Sequence, residues 1–297
     1  MISILKEVRV ATFLMLSVFS VLGFAQETRR FEVYQSMGFD TLPTAVMDKH
    51  GIKQLTLYGH GHLWVKKDPF LPEPNFAEIK NRASASKKNN DTLVSLDIEM
   101  WEFDPKVTSK NKKTIDRFVN VAKTFRQQSP DVRFGFYSQL PLRNYWDPIR
   151  NSKKLASGYA DWQAVNRSMQ PIADQVDVIM PSLYTFYKDR AGWLIYAEEN
   201  IKEARKYGKP VYIYLWPQYT PDTDAKLARA EFIDHDFWKL QLETVFRLAD
   251  GVIIWTPKGI NQKWNENAPW WVATKEFLEE KRIGLAPNPP GKLNIVE

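Results

Sequence analysis

Seven short runs rich in apolar and β-branched residues recur along the chain, and each is followed by a stretch with helical spacing. The runs cover 29–36, 52–58, the segment opening at Leu93, 132–137, 176–184, 210–216 and 251–255. Between them, 44–50, 75–86, 109–127, 153–174, 190–207, 226–248 and 270–281 read as helices. A side-chain period of 2 giving way repeatedly to one of 3.6 means strands alternating with helices. Consecutive strands joined by helices lie parallel, because a hairpin cannot connect them. Two architectures satisfy that rule. A doubly wound sheet binds its ligand at a Gly-rich phosphate loop, and no such loop is present. A single α/β barrel of about 250 residues fits the 297-residue length. The expectation is an α/β fold, one TIM-like barrel of about seven parallel strands, with a flexible tail over 285–297.

In such a barrel the carboxyl ends of the strands form the functional face. Aromatic or acidic residues recur there: Tyr58, Asp97, Glu99, Trp101, Tyr137, Tyr184, Tyr214, Trp216 and Trp255. Each aromatic alone suits a core; their recurrence at strand ends is the informative feature. The third run, Thr92-Leu-Val-Ser-Leu-Asp-Ile-Glu-Met-Trp-Glu-Phe-Asp104, turns acidic without a break. Strand periodicity puts Asp97 and Glu99 on one side. Two carboxyls close together cannot both ionise freely, so one pKa should rise, which is what a general acid needs near neutral pH.

Composition bounds the partners. The chain carries a net charge of +6 with no Lys/Arg block, so nucleic acid is not expected as a partner. Eleven Trp, 12 Tyr and 17 Phe suit flat binding platforms. Lys6 and Arg9 precede an apolar run, Val10–Ala25, ending Gly23-Phe24-Ala25 before Gln26. This reads as a signal peptide over 1–25, cleaved after Ala25, leaving no membrane span in a secreted, periplasmic or envelope protein. An uncleaved anchor is the alternative, although the run is short for a span. The chain has no cysteine, which excludes disulfides and cysteine-bound zinc. His60 and His62 form a lone His-x-His between glycines, too few ligands for a metal site, so no metal or cofactor is expected.

In order along the chain, Phe31-Glu-Val-Tyr34, Leu55-Thr-Leu-Tyr58, Leu96-Asp-Ile-Glu-Met-Trp101, Phe134-Gly-Phe-Tyr137, Met180-Pro-Ser-Leu-Tyr184, Pro210-Val-Tyr-Ile-Tyr214 and Asp250-Gly-Val-Ile-Ile-Trp255 resemble the strands of the hyaluronidases of the bee-venom and mammalian type. The set spans roughly residues 31–280. The resemblance implies a distorted (β/α) barrel with an open groove for a polysaccharide or glycosaminoglycan; the expectation for the chain is one barrel domain over 26–284, as a monomer. It also implies a substrate-assisted retaining glycosidase for N-acetylhexosamine-containing glycans, in which the substrate's acetamido oxygen is the nucleophile. Glu99 would be the general acid. Asp97 would orient the acetamido group and help keep Glu99 protonated. Tyr184 would bond that group, and Trp255 and Tyr137 would wall the pocket. The chain departs from the animal members in lacking cysteine and in the loop Ser138–Trp146. Two other readings stay open. One is a glycosidase for non-acetylated sugars, with Glu102, Asp104, Asp222 or Asp224 as second carboxylate; the other is a non-catalytic glycan-binding barrel.

Overall fold

The computed structural model describes residues 31–59, 63–65, 73–220, 231–258 and 263–284. Residues 1–25, His60, His62, Asp222, Asp224 and the tail from 285 lie outside them. No helix among the described residues is long and apolar enough to cross a membrane.

The chain runs β1 (Glu32–Ser36), α1 (Thr44–Lys49), β2 (Lys53–Gln54), β3 (Thr56–Tyr58), β4 (Trp64–Val65), β5 (Glu73–Pro74), α2 (Phe76–Asn89), β6 (Val94–Leu96), α3 (Ser109–Gln128) and β7 (Phe134–Phe136). It continues through α4 (Trp146–Ser152), α5 (Tyr159–Ser168), α6 (Gln170–Ala173), α7 (Arg190–Arg205), β8 (Tyr212–Leu215), α8 (His235–Leu248), β9 (Gly251–Trp255) and α9 (Pro269–Glu280). One sheet has the order β2-β1-β9-β8 and a second β3-β6-β7, with every pairing in both parallel. The ladders do not form one closed sheet. On one side β2 and β3 are two parts of a single extended segment, broken at Leu55, whose amide bonds back to Gln35. On the other, the stretch around Ile179–Ser182 makes isolated parallel bridges to Tyr137, Val211 and Tyr214. This is a distorted (β/α) TIM-like barrel of about seven parallel staves, as expected.

The staves show why the barrel is distorted. Pro181 has no N–H, so the fifth cannot form a full ladder. Gly135 is needed beside it: a Cβ there would lie 2.5 Å from the Val178 carbonyl oxygen. Outside, α3 covers β6 and β7. Its buried Ile115, Phe118, Val121, Ala122 and Phe125 follow i, i+3/i+4 spacing. Phe118 and Phe125 meet Phe136 and Phe134 at 4.9 and 4.8 Å. Thr108 caps the start of α3, and its last residue precedes Ser129-Pro130.

Several expected boundaries move. The helix expected over 153–174 begins only at Tyr159, after Lys154 adopts φ +57°, and is divided at Met169 into α5 and α6. The stretch between the run at 132–137 and the helix expected from 153 contains α4, which tolerates Pro148 because its missing N–H falls in the first turn. Of the helix expected over 226–248, the described part starts at His235, capped by Asp234; Phe232 bridges to Gln218 instead. Pro74, just before α2, belongs to the antiparallel pair β4–β5.

The amino-terminal end of the barrel is tied by charge. Glu32 accepts from Lys53 at 2.5 Å, pairs with Arg133 at 3.3 Å and accepts from the Tyr212 hydroxyl, which itself accepts from Arg133 at 2.7 Å. Burial alone would raise the Glu32 pKa. The Lys53 and Tyr212 hydrogen bonds and the two cations outweigh it and bring the pKa from 4.5 down to about 2. A depressed carboxyl pKa adds stability that is present above the unfolded value and is lost as pH falls through the folded one. Glu32→Gln is therefore expected to lower the melting temperature by a few degrees at pH 7, with wild type and variant converging toward pH 2. Parallel melting curves across that window would contradict the assignment.

Candidate active site

At the carboxyl ends of the staves, Leu57, Asp97, Glu99, Tyr137, Tyr184, Tyr214 and Trp255 line one small, half-open pocket of about 90 Å³. Every stave except β1 contributes to it. Asp97 is the last residue held by the ladder, through its amide to the Tyr58 carbonyl at 3.0 Å. Ile98 turns into the core, and Glu99 lies past the strand end with its side chain exposed. The buried Gln139 donates to the Ile98 carbonyl at 3.2 Å and so fixes the residue between the two carboxyls. Asp97 is deep and Glu99 shallow, both facing the same pocket.

Burial, and then the charge of Glu99, push the Asp97 pKa from 3.8 up to about 7. One Asp97 oxygen, Oδ1, is buried without a hydrogen-bond partner. The expectation of a raised carboxyl in this pair is met at Asp97. Asp97 is the carboxyl that loses water, because the strand carries it into the barrel mouth while Glu99 stays in solvent.

The aromatic wall is contiguous. Tyr184 stacks on Trp255 at 5.5 Å and 17°. Trp216 meets both rings edge-on, at 5.5 and 5.3 Å, and is anchored by its indole N–H to Gln218 at 2.9 Å. Tyr137 packs on Tyr214 at 4.8 Å, and its hydroxyl donates to Ser182 at 3.4 Å. Burial raises the Tyr137 pKa to about 12 and those of Tyr184 and Tyr214 well above 10, so all three hydroxyls keep their protons and remain donors.

Two expected site residues lie elsewhere. Tyr58 points out of the barrel: its hydroxyl meets Ser86 of α2 at 2.9 Å, with Arg82 over its ring. The alternation that turns Tyr58 outward turns Leu57 inward, so the period of 2 marks Leu57 and not the aromatic at the strand end. Trp101 is buried against Phe118 of α3, 5.0 Å away. Trp216 supports the wall without lining the pocket. Of the alternative second carboxylates, Asp104 is occupied by Thr108 and Lys110, at 2.7 and 3.2 Å, and Glu102 does not line the pocket. Ser182 and Gln139 hold wall and floor; Ser182 falls in the Met180–Tyr184 run, whereas Gln139 carries no signal in a single sequence.

No protein-family profile matches this sequence, and no curated protein matches it. Among solved structures, bee-venom hyaluronidase is similar, with a TM-score of 0.58 and 16% identity, covering 86% of this chain and 99% of that one. A GH113 β-1,4-mannanase gives 0.47 at 12% identity, over 84% and 86% of the two chains. A GH128 endo-β-1,3-glucanase from Amycolatopsis mediterranei gives 0.44 at 13%, over 82% and 98%. At such identities a likeness concerns the path of the chain and not its chemistry. This protein has the α/β-barrel fold on which bee-venom hyaluronidase is built.

Proposed function

We propose that the chain is an exported glycoside hydrolase that cleaves an N-acetylhexosamine-containing polysaccharide by a substrate-assisted, retaining mechanism. One observation carries the reading: a half-buried carboxyl, Asp97, with a buried, unpartnered oxygen lies beside an exposed one, Glu99, in a pocket walled by protonated tyrosines and Trp255. An acetamido group suits that environment. Its methyl is apolar, its N–H supplies the donor that Asp97 Oδ1 lacks, and its carbonyl oxygen can accept from a tyrosine hydroxyl.

The chemistry follows from the two depths. In the free protein Asp97 keeps its proton up to about pH 7. The amide N–H of the bound sugar favours ionised Asp97, and the proton passes to Glu99, the carboxyl within reach of the glycosidic oxygen. The acetamido oxygen then attacks the anomeric carbon as Glu99 protonates the leaving oxygen and the glycosidic bond breaks. Asp97 stabilises the positive charge on the cyclised acetamido group. Glu99, now ionised, takes a proton from water, which opens the ring with net retention.

The test is a reducing-end assay on hyaluronan, chondroitin, chitin oligomers and their N-deacetylated counterparts. Cleavage of at least one acetylated glycan is expected, with no cleavage of its deacetylated form. Equal rates on both forms would remove acetamido participation.

A further inference from the structure

The connection from β7 to α5 carries a feature that the pocket does not use. Trp146 is 47% exposed, whereas Trp101, Trp162, Trp193, Trp238, Trp270 and Trp271 are at 5% or less. Its ring is nonetheless held firmly. Tyr145 and Tyr187 pack against it at 5.0 and 5.2 Å, and the Arg150 guanidinium lies 6.0 Å over its face. Tyr145 is itself buried against Tyr196, 4.9 Å away. The backbone beneath is pinned on both sides. The Asp147 amide donates to Asn144 Oδ1 at 3.0 Å, the Gly158 amide to Asp147 Oδ1 at 2.9 Å, and Asn200 Nδ2 to the Asn144 carbonyl at 2.9 Å. A large apolar ring kept in solvent on a rigid base is organised in advance for a flat apolar partner.

Its place in the fold says which partner. The connection leaves the barrel at Tyr137, and Tyr187 follows three residues after Tyr184; both tyrosines line the carboxylate pocket. Arg143 joins the two regions. Its guanidinium lies 5.0 Å over Phe186, in the aromatic cluster with Tyr145 and Tyr187, and its charge acts on the Tyr137 hydroxyl. The patch is thus an outward continuation of the wall on the Tyr137–Tyr184 side. A 90 Å³ pocket grips a substituent, not a chain of sugars.

We propose that Trp146, with Tyr187 beside it, is a stacking platform for a sugar ring of the glycan remote from the bond that is cut. A pyranose presents a face of C–H groups flanked by hydroxyls. Laying that face on an indole removes apolar surface from water while the hydroxyls stay solvated. The inference rests on the glycosidase reading, and it makes affinity depend on glycan length.

Binding is measured by calorimetry in a Glu99→Gln background, which separates the platform from turnover, with chitin and hyaluronan tetramers and octamers as probes. The octamer of one series is expected to bind more tightly than its tetramer. Adding Trp146→Ala should cost about tenfold in octamer affinity and remove most of the advantage of length. Trp146→Phe should restore most of it, and Tyr187→Ala should lose part. If the wild-type chain turns these glycans over, the octamer-to-tetramer ratio of kcat/KM should fall by a similar factor through KM. Unchanged octamer affinity in a folded Trp146→Ala protein overturns the platform, as does the absence of any length effect before the substitution. Failure of hydrolysis alone bears on the catalytic reading and leaves the binding result standing.

Discussion

Glu99→Gln is expected to fold as the wild type does and to lose on the order of 10²- to 10⁴-fold in kcat on a natural glycan, the usual range for a missing general acid. The fold should be spared because Glu99 is exposed and beyond the end of β6, where substitutions rarely move stability by more than about 0.5 kcal/mol. Gln has the same size and can still hydrogen-bond the leaving oxygen, but it cannot give up a proton. The loss should therefore shrink on an aryl glycoside whose leaving group needs no protonation. The wild-type rate should also fall on the alkaline side near pH 7. Above that point Asp97 has released the proton that it would pass to Glu99. An unchanged rate in Glu99→Gln, or equal losses on alkyl and aryl substrates, would remove Glu99 from the acid role.

The residues that misled and those that did not differ in one physical respect. The alternation of runs was enough to read the barrel, because each strand buries both faces and each helix one, and burial leaves a pattern in the sequence. The pair Asp97 and Glu99 was legible for the same reason: carboxyls straight after Leu93, Val94 and Leu96 must lie at the mouth of a core. Which of the two loses its water was not legible. That depends on the strand ending at Leu96, with Ile98 turning inward and Glu99 left outside. Periodicity does not register where a strand stops. Tyr58 and Trp101 failed similarly, one by the parity of its position on β3 and the other by the turn after Glu99 that seats it under Phe118. The helix α4 escaped notice because Trp146-Asp-Pro148 has the composition of a turn; Asn144 and Asp147, bonded to each other, start it. Ser182 and Gln139 act through single hydrogen bonds, and a hydrogen bond between distant segments leaves no trace in spacing.

Asp97→Asn is expected to abolish turnover and, at pH 8, to make the protein more stable. The folded chain keeps a proton on Asp97 up to about pH 7, whereas the unfolded chain releases it near 3.8. Between those values the native state binds more protons than the unfolded one, so stability falls as pH rises and levels off above the folded pKa. A rise of about three units corresponds to roughly 4 kcal/mol for the fully ionised, half-buried carboxylate. An amide of the same shape never acquires that charge but still buries a polar group, so about 1–2 kcal/mol of gain should remain at pH 8. Denaturant titrations should show Asp97→Asn ahead at pH 8 and behind the wild type near pH 4, where Asp97 is neutral in the fold. Glu99→Gln should recover part of the same gain, since the Glu99 charge is the second cause of the rise. The two gains should not add in the double variant, because each removes the same repulsion. An Asp97→Asn protein less stable than the wild type at pH 8 would mean that the carboxylate is stabilised where it lies. Holding an unstabilised carboxylate in the barrel mouth is a cost to the fold that a bound N–H donor would relieve. The same residue is thus expected to weaken the empty protein and to strengthen its grip on an acetamido sugar.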